Sequence, residues 1–576
     1  MKQKAILILF VCWLCRLGHG QGIFPAKELT PGLTGYCVTE IAQGERERLP
    51  VEVINLVSQG ELNRRYLLIR LSGDRVATFG VASGMSGSPV YIQDRLVGAL
   101  AFTWPFTREH VAGVTLYPDM VGRCAEISAP KRPLLTGLEL AEMPKDMLAD
   151  LLPRQSKPSA TIPVAAVGLS LSADGLAKLP WSCEPHIVTS IAQGAYSPAE
   201  GGADLAAGSA FAVVLMRGDY QLAAFGTITA VTGDRFFGLG HSLFDAGKIK
   251  LPAASARTVY TIGSHNMSFK INEMGPIVGT LVADTDAGVE VTTREQPAFV
   301  PLTVNLVCNQ ETRDFHFDLA AYDLAVPGLM QLALLQAVKD VTGTTTLRGV
   351  DAVLSLSGDK QPEVRYHSVY GNLGALSEMV SDTTNMVTAL LFNEFSPYPL
   401  RGIGLDIELL EKAETLTLKN VRMSRSKVFA GDTLSVQLLY QSSTGGQRKE
   451  TAVFAIPEFF PQTRGAVAVL DRKSYILFEL MRNPQRFKPN SREELLHLLN
   501  HYPAQNKIYV MVYLFSPGFS MGRREMHHLP AIQSMLVKDN SDSIKTLPQS
   551  LLAQQVIETD AVVTGSKTIP FVIMRK

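Results

Sequence analysis

Cysteine is scarce in this chain, with six in 576 residues, and two of these, Cys12 and Cys15, fall in an N-terminal apolar run. The other four, Cys37, Cys124, Cys183 and Cys308, lie far apart and form no Cys-x-x-Cys pair, which argues against a zinc site. In an oxidising compartment four cysteines allow three pairings, and spacing neither selects one nor excludes free thiols. Charge of one sign is also missing. Lys+Arg and Asp+Glu both total 54, so no global field draws nucleic acid or an anionic membrane, and nucleic-acid binding is not expected. Beyond the first twenty residues no run is long and apolar enough to span a bilayer. There is no solenoid-period repeat and no low-complexity tract. The glycines of "FGLGHSLFDAG" match neither a Gly-x-Gly-x-x-Gly fingerprint nor a P-loop, so no nucleotide site is implied.

The N-terminus has a distinct layout. Lys2 and Lys4 precede eleven apolar residues, Ala5 to Cys15, and then comes "RLGHGQG" with small residues at Gly18 and Gly20. A basic start, a short apolar core and small residues at the cleavage position read as a secretory signal peptide over 1–20. Eleven residues fall well short of the roughly 20 that a spanning helix needs. An exported protein is therefore expected, periplasmic, cell-surface or extracellular. The composition, 46% hydrophobic and 19% charged, is that of a folded globular chain, and the length suggests about three to four domains.

Alternating segments make residues 21–150 a β-rich lobe, closed by a helical pattern within 136–160, and a Pro/Ser-rich bridge follows. Residues 161–310 form a second β-rich lobe, where "RGDY" and "TGDR" turns separate short strands. From 311 to 410 "PGLMQLALLQAVKDV" and "LGALSEMVSDTTNMVTALLFNEF" have helical spacing around a strand-like segment, giving an α/β segment. Residues 411–576 return to strands as an accessory β-sandwich-like domain, with one helix opened by Ser491 and Glu494 at capping-box spacing.

The stretch with the most chemistry is "GMSGSPVYIQDRLVGALAF", from Gly84 to Phe102. Glycine tolerates the sharp bend needed for the N–H groups of Gly84 and Ser86 to converge on one point. Gly87 keeps side chains away from Ser86, and the following hairpin anchors the loop. Such a loop suits a serine hydroxyl that attacks a carbonyl, with backbone amides receiving the oxyanion. The bland alternative is turn punctuation between strands.

"YLLIRLSG", "GMSGSPVY", "LVGALAFTWPF" and "AGVTLYPDM" together resemble the SpoIVB-type serine peptidases, relatives of the trypsin/HtrA fold. "GTITAVTGDRFFGLGHSLFD" resembles the family's strand-turn-strand element that carries a histidine. The resemblance covers residues 24–125 and 205–295. It implies two trypsin-like β-barrel lobes, Ser86 as nucleophile, His241 as general base, and the Gly84 and Ser86 amides as oxyanion hole. It implies no metal or organic cofactor, and a protein or peptide substrate. Ser86 precedes His241 here by 155 residues, the reverse of the sporulation peptidase, and a triad is defined by geometry rather than chain order. The family's orienting aspartate sits just upstream of the serine motif, where Asp74 of "LSGD" is the approximate match. Asp74 also reads as the turn residue of an "SGDR" hairpin, and a backbone carbonyl or a hydroxyl such as that of Ser72 can orient an imidazole instead.

Other signals are weaker. His497 and His501 lie i, i+4 on a helix but lack the zincin glutamate and read as a surface stripe. Asp284 and Asp286 in "VADTDAGVE" read as a turn. The whole chain is thus expected to be an exported, cofactor-free serine endopeptidase. The alternative is a non-catalytic cell-envelope scaffold that keeps a peptidase-like barrel and binds a partner through the C-terminal domain.

Overall fold

In Thr34–Ala42 every second side chain from Cys37 to Ile41 faces inward, the two-residue period of a half-buried strand. This strand, β1, opens a six-stranded barrel with β2 (Glu45–Gln59), β3 (Arg64–Leu71), β4 (Pro89–Ile92), β5 (Arg95–Thr103) and β6 (Val111–Leu116). The strand order is β1-β2-β3-β6-β5-β4, and Cys37 opposite Val90 helps close the ring. Closure leaves no unpaired edge, and Leu67, Ile69, Val90, Val97 and Val114 fill the interior. Each such side chain contributes roughly 1.5–3 kcal/mol by leaving water. The β4–β5 turn carries Gln93 and Asp94, both with positive φ, the backbone that a tight two-residue hairpin requires.

The computed structural model describes residues 22–59, 64–104, 106–127, 134–135, 161–167, 179, 184–189, 205–343, 348–458, 460–521, 524–527 and 544–575. The signal peptide expected over 1–20, the helical pattern within 136–160 and Cys183 lie outside the described residues. The protein is mainly β, with 54% of residues in strands, as the alternating segments predict. Among the described residues no helix is long and apolar enough to cross a membrane.

After the short helix α1 (Asp74–Phe79) and α2 (Tyr117–Ala125) come β7 (Thr161–Val167) and β8 (Glu184–Thr189). A second set of strands follows: β9 (Ala210–Gly218), β10 (Gln221–Thr232), β11 (Arg235–Gly238), β12 (Gly247–Ile262), β13 (Phe269–Thr285) and β14 (Gly288–Thr292). Their order is β9-β12-β13-β14-β11-β10, and β9 also pairs with β10. The pairings therefore run around a ring, and the order from β9 to β14 repeats that of the first barrel. The expected pair of barrel lobes is present. Both belong to one compact unit made of residues 1–131, 152–299 and 317–332.

The second unit comprises residues 132–151, 300–316 and 333–576. Here strand Gly349–Gly358 runs antiparallel between Val364–Tyr370 and Leu400–Leu410. Helix Ala375–Phe392 covers the helical pattern read there, and its residues from Thr383 to Phe392 are all buried. The C-terminal part is a sandwich of a four-stranded and a five-stranded sheet around one core that includes Leu434, Val436, Val467, Val510 and Phe571. Its helix Arg492–Asn500 begins as expected, with the Ser491 hydroxyl accepting from the Glu494 amide at 3.2 Å. The return bond goes one residue further back, from the Asn490 amide to the Glu494 carboxylate at 2.9 Å.

Cys37, Cys124 and Cys308 are free thiols. Cys37 and Cys124 are buried, and burial pushes each up to about 12, so both behave as apolar core groups.

Candidate active site

The serine loop bends where the sequence places its glycines. Gly84 has φ +98° and Gly87 φ +95°, values that strain any other residue. Strand β10 of the second barrel holds this loop. The Thr227 amide donates to the Ser86 carbonyl at 2.8 Å, and the Thr227 hydroxyl to the Gly84 carbonyl at 2.9 Å. The Thr229 hydroxyl donates to the Gly87 carbonyl at 2.7 Å. From the first barrel, the Leu100 carbonyl accepts from the Gly87 amide at 2.7 Å. The carbonyls of Gly84, Ser86 and Gly87 are thus all engaged. Among the described residues the amides of Gly84 and Ser86 donate to no acceptor, which leaves both available to an oxyanion.

Ser86 is 5% exposed, and its hydroxyl donates to the Ala101 carbonyl on β5 at 3.4 Å. A bond that long is weak, so the hydroxyl can be turned to another acceptor at small cost. His241 follows β11 at the end of "GLGH". The Gly240 carbonyl accepts from the Thr115 hydroxyl at 2.6 Å, which fixes this turn to β6. Gly240 itself lies against β5, so close that a Cβ would come 3.0 Å from that of Ala99 and 3.3 Å from that of Ala101. Two motifs 155 residues apart therefore meet at Ala101. No hydrogen bond joins Ser86 to His241 in this structure.

His241 is 7% exposed. Its Nδ1 is 2.8 Å from the Ser242 carbonyl, and since a carbonyl only accepts, Nδ1 carries the proton. Nε2 of the neutral ring then has a lone pair, and this buried atom has no hydrogen-bond partner. That is the tautomer a general base needs. Burial pulls the ring below the usual histidine value of 6.5, with the Ser242 carbonyl opposing, so the ring is neutral at pH 7.

Asp74 is not the orienting group. It is exposed, and opens helix α1 rather than a hairpin turn, with its carbonyl capped by the Thr78 hydroxyl at 2.9 Å. The orienting acceptor is the Ser242 backbone carbonyl. Ser72 is exposed and donates its amide to the Pro50 carbonyl at 3.0 Å.

A carboxylate read from sequence as a turn residue does the fixing here. Asp284 on β13 is fully buried and accepts from the amides of Leu243 and Phe244 at 2.7 Å each, and of Ala246 at 3.4 Å. It thereby holds the loop that leaves His241. Burial pushes this carboxyl up to about 6, although the three amides draw it down. A second buried ionic group, Lys270, donates to the Thr39 hydroxyl at 2.6 Å, and burial pulls it down to about 8 against nearby Glu40 and Cys37. Glu40 in turn accepts the amides of Ala210 and Thr258, tying β1 to the second barrel.

His497 and His501 stack their rings 4.0 Å apart on the C-terminal helix. Among the described residues no cluster of three or more His, Cys, Asp or Glu could hold a metal. No protein-family model, curated protein or solved structure matches the chain.

Proposed function

We propose that the protein is an exported serine endopeptidase of the SpoIVB type. It would cleave a protein substrate, or itself, through an acyl-enzyme. The observation that carries this reading is the meeting at Ala101 of the Ser86 hydroxyl and the Gly240–His241 turn, brought together from segments far apart in the chain. In the mechanism Ser86 turns from the Ala101 carbonyl toward Nε2 of His241. The ring takes the hydroxyl proton as Oγ bonds to the scissile carbonyl carbon, and the amides of Gly84 and Ser86 receive the oxyanion. The imidazolium then gives the proton to the leaving amine. Water repeats the sequence and releases the acid. Export rests on the Lys2/Lys4 and Ala5–Cys15 pattern, and the C-terminal sandwich is the surface offered to a cell-envelope partner.

The scaffold reading has one observation in its favour: both groups are nearly closed to solvent, with no Ser–His bond. Cleavage by purified protein of an unfolded substrate such as casein decides between the two. A base whose pKa is lowered on folding is active above that pKa and loses activity as pH falls through it. The acid limb of kcat/KM is therefore expected to have its midpoint below 6.5, with a plateau through neutral pH. No cleavage across pH 5–9, or a midpoint above 6.5, would count against His241 as the base.

A further inference from the structure

A groove of about 490 Å³ opens in the first unit. One wall is the end of α1 with Phe79, Gly80 and Val81, and a second is the β5–β6 connection with Thr103, Trp104 and Phe106. The loop Gly263–Ser268 between β12 and β13 faces them. We propose that this groove receives the side chain of an extended polypeptide substrate beside the scissile bond, and that it selects a large uncharged, aromatic or aliphatic residue. The proposal rests on the peptidase reading of Ser86 and adds the substrate class.

Three observations support it. The first is position. The serine loop adjoins the groove, since the Ser83 amide donates to the carbonyl of the lining residue Ser268 at 2.7 Å and the Ser83 carbonyl accepts from the Lys270 amide at 3.0 Å. On β5, Thr103 is two residues past Ala101, whose carbonyl holds the Ser86 hydroxyl. At roughly 3.3 Å per residue the groove begins about 7 Å along β5 from Ala101, or about two residues of an extended peptide.

The second is charge. Among the described lining residues there is no Asp, Glu, Lys or Arg, and the titratable side chains are those of His110 and His265. The neighbouring Glu109 is turned to Arg70 at 2.9 Å. A charged substrate side chain would lose water here without gaining an ion pair, which is unfavourable. The third is the rim. Trp104 is 43% and Phe106 77% exposed, and Phe106 is held at φ +60°, a backbone that bulky residues rarely adopt. Such strain persists at ligand clamps, and here it holds an exposed aromatic at the edge of the cleft. The Trp104 ring meets Phe102 edge-on at 5.3 Å, which steadies it as a platform.

The test uses the full chain with Ser86→Ala, so that bound peptide persists. Its probes are fluorescein-labelled ten-residue peptides that differ at one central position: Phe, Leu, Lys or Glu. Fluorescence anisotropy is expected to show the Phe and Leu peptides bound at least tenfold more tightly than Lys or Glu. Adding Trp104→Ala is expected to remove most of that difference. Trp104 and Phe106 are partly exposed, so Phe106→Ala serves as a second variant if the first melts early. Equal binding of all four peptides, or preference for Lys or Glu, overturns the proposal. Covalent labelling of wild-type Ser86 by a fluorophosphonate, measured in parallel, keeps the two readings apart. Labelling with unselective peptide binding removes the groove alone. Selective binding without labelling removes the peptidase and leaves a peptide-binding groove.

Discussion

Replacing Ser86 with alanine is expected to lower the rate of peptide-bond cleavage roughly 10⁴- to 10⁶-fold, and His241→Ala nearly as far. The reason is that both act in one step. Without Oγ there is no nucleophile, and without Nε2 nothing accepts its proton. The double variant should therefore be no slower than the single ones, since groups that act as a unit lose their effect together. Stability should barely move in Ser86→Ala, because the hydroxyl makes a single long bond of 3.4 Å to Ala101. Rates from the three purified variants, with melting curves alongside, check this. Additive losses would mean that Ser86 and His241 act separately.

Gly87→Ala is expected to be the most damaging small change to the fold of the first unit. At φ +95° the residue occupies a region that alanine avoids. An added Cβ would overlap the Thr227 carbonyl and lie 2.6 Å from the Leu239 nitrogen. Both are backbone atoms, and Thr227 is bonded on either side to the serine loop, so none can move without opening the clamp. Roughly 3–5 kcal/mol of stability should be lost, the range reserved for overpacking a fixed site. Gly122→Ala is the control, because its Cβ would meet nothing within 4 Å. Thermal unfolding followed by circular dichroism should show a much lower transition for the first variant and almost none for the second. Equal melting would mean that the loop is free to move away from β10.

Much of this was readable in the residues. The period-two pattern around Cys37, Thr39 and Ile41 gave the strand and its inward face, and "PGLMQLALLQAVKDV" matches helix Val326–Thr342. The glycines of the serine motif stand where φ is positive. Ring closure of either barrel was not readable, because it depends on pairings such as Cys37 with Val90 and Phe225 with Ala212 that no local pattern encodes. Asp74 misled because "SGDR" suits a turn and a helix start equally, and only burial separates an orienting carboxylate from a solvated one. Thr227 and Thr229 are common strand residues, and nothing in their identity alone marks them as a clamp. Their i, i+2 spacing put both hydroxyls on one face, which was the available sign that they act together. Asp284 carried a comparable sign. A carboxylate at the end of an apolar strand run, Leu281–Ala283, must find donors once buried, and its donors are the amides just beyond His241.

Mass-spectrometric mapping of a fluorophosphonate adduct on folded protein at pH 7.5 tests the central claim most directly. The expected result is one phosphonylated residue, Ser86, with labelling abolished in His241→Ala while that variant is still folded by circular dichroism at the labelling temperature. Folded wild-type protein that takes no label at Ser86, or a His241→Ala variant labelled as fast as wild type, would contradict it.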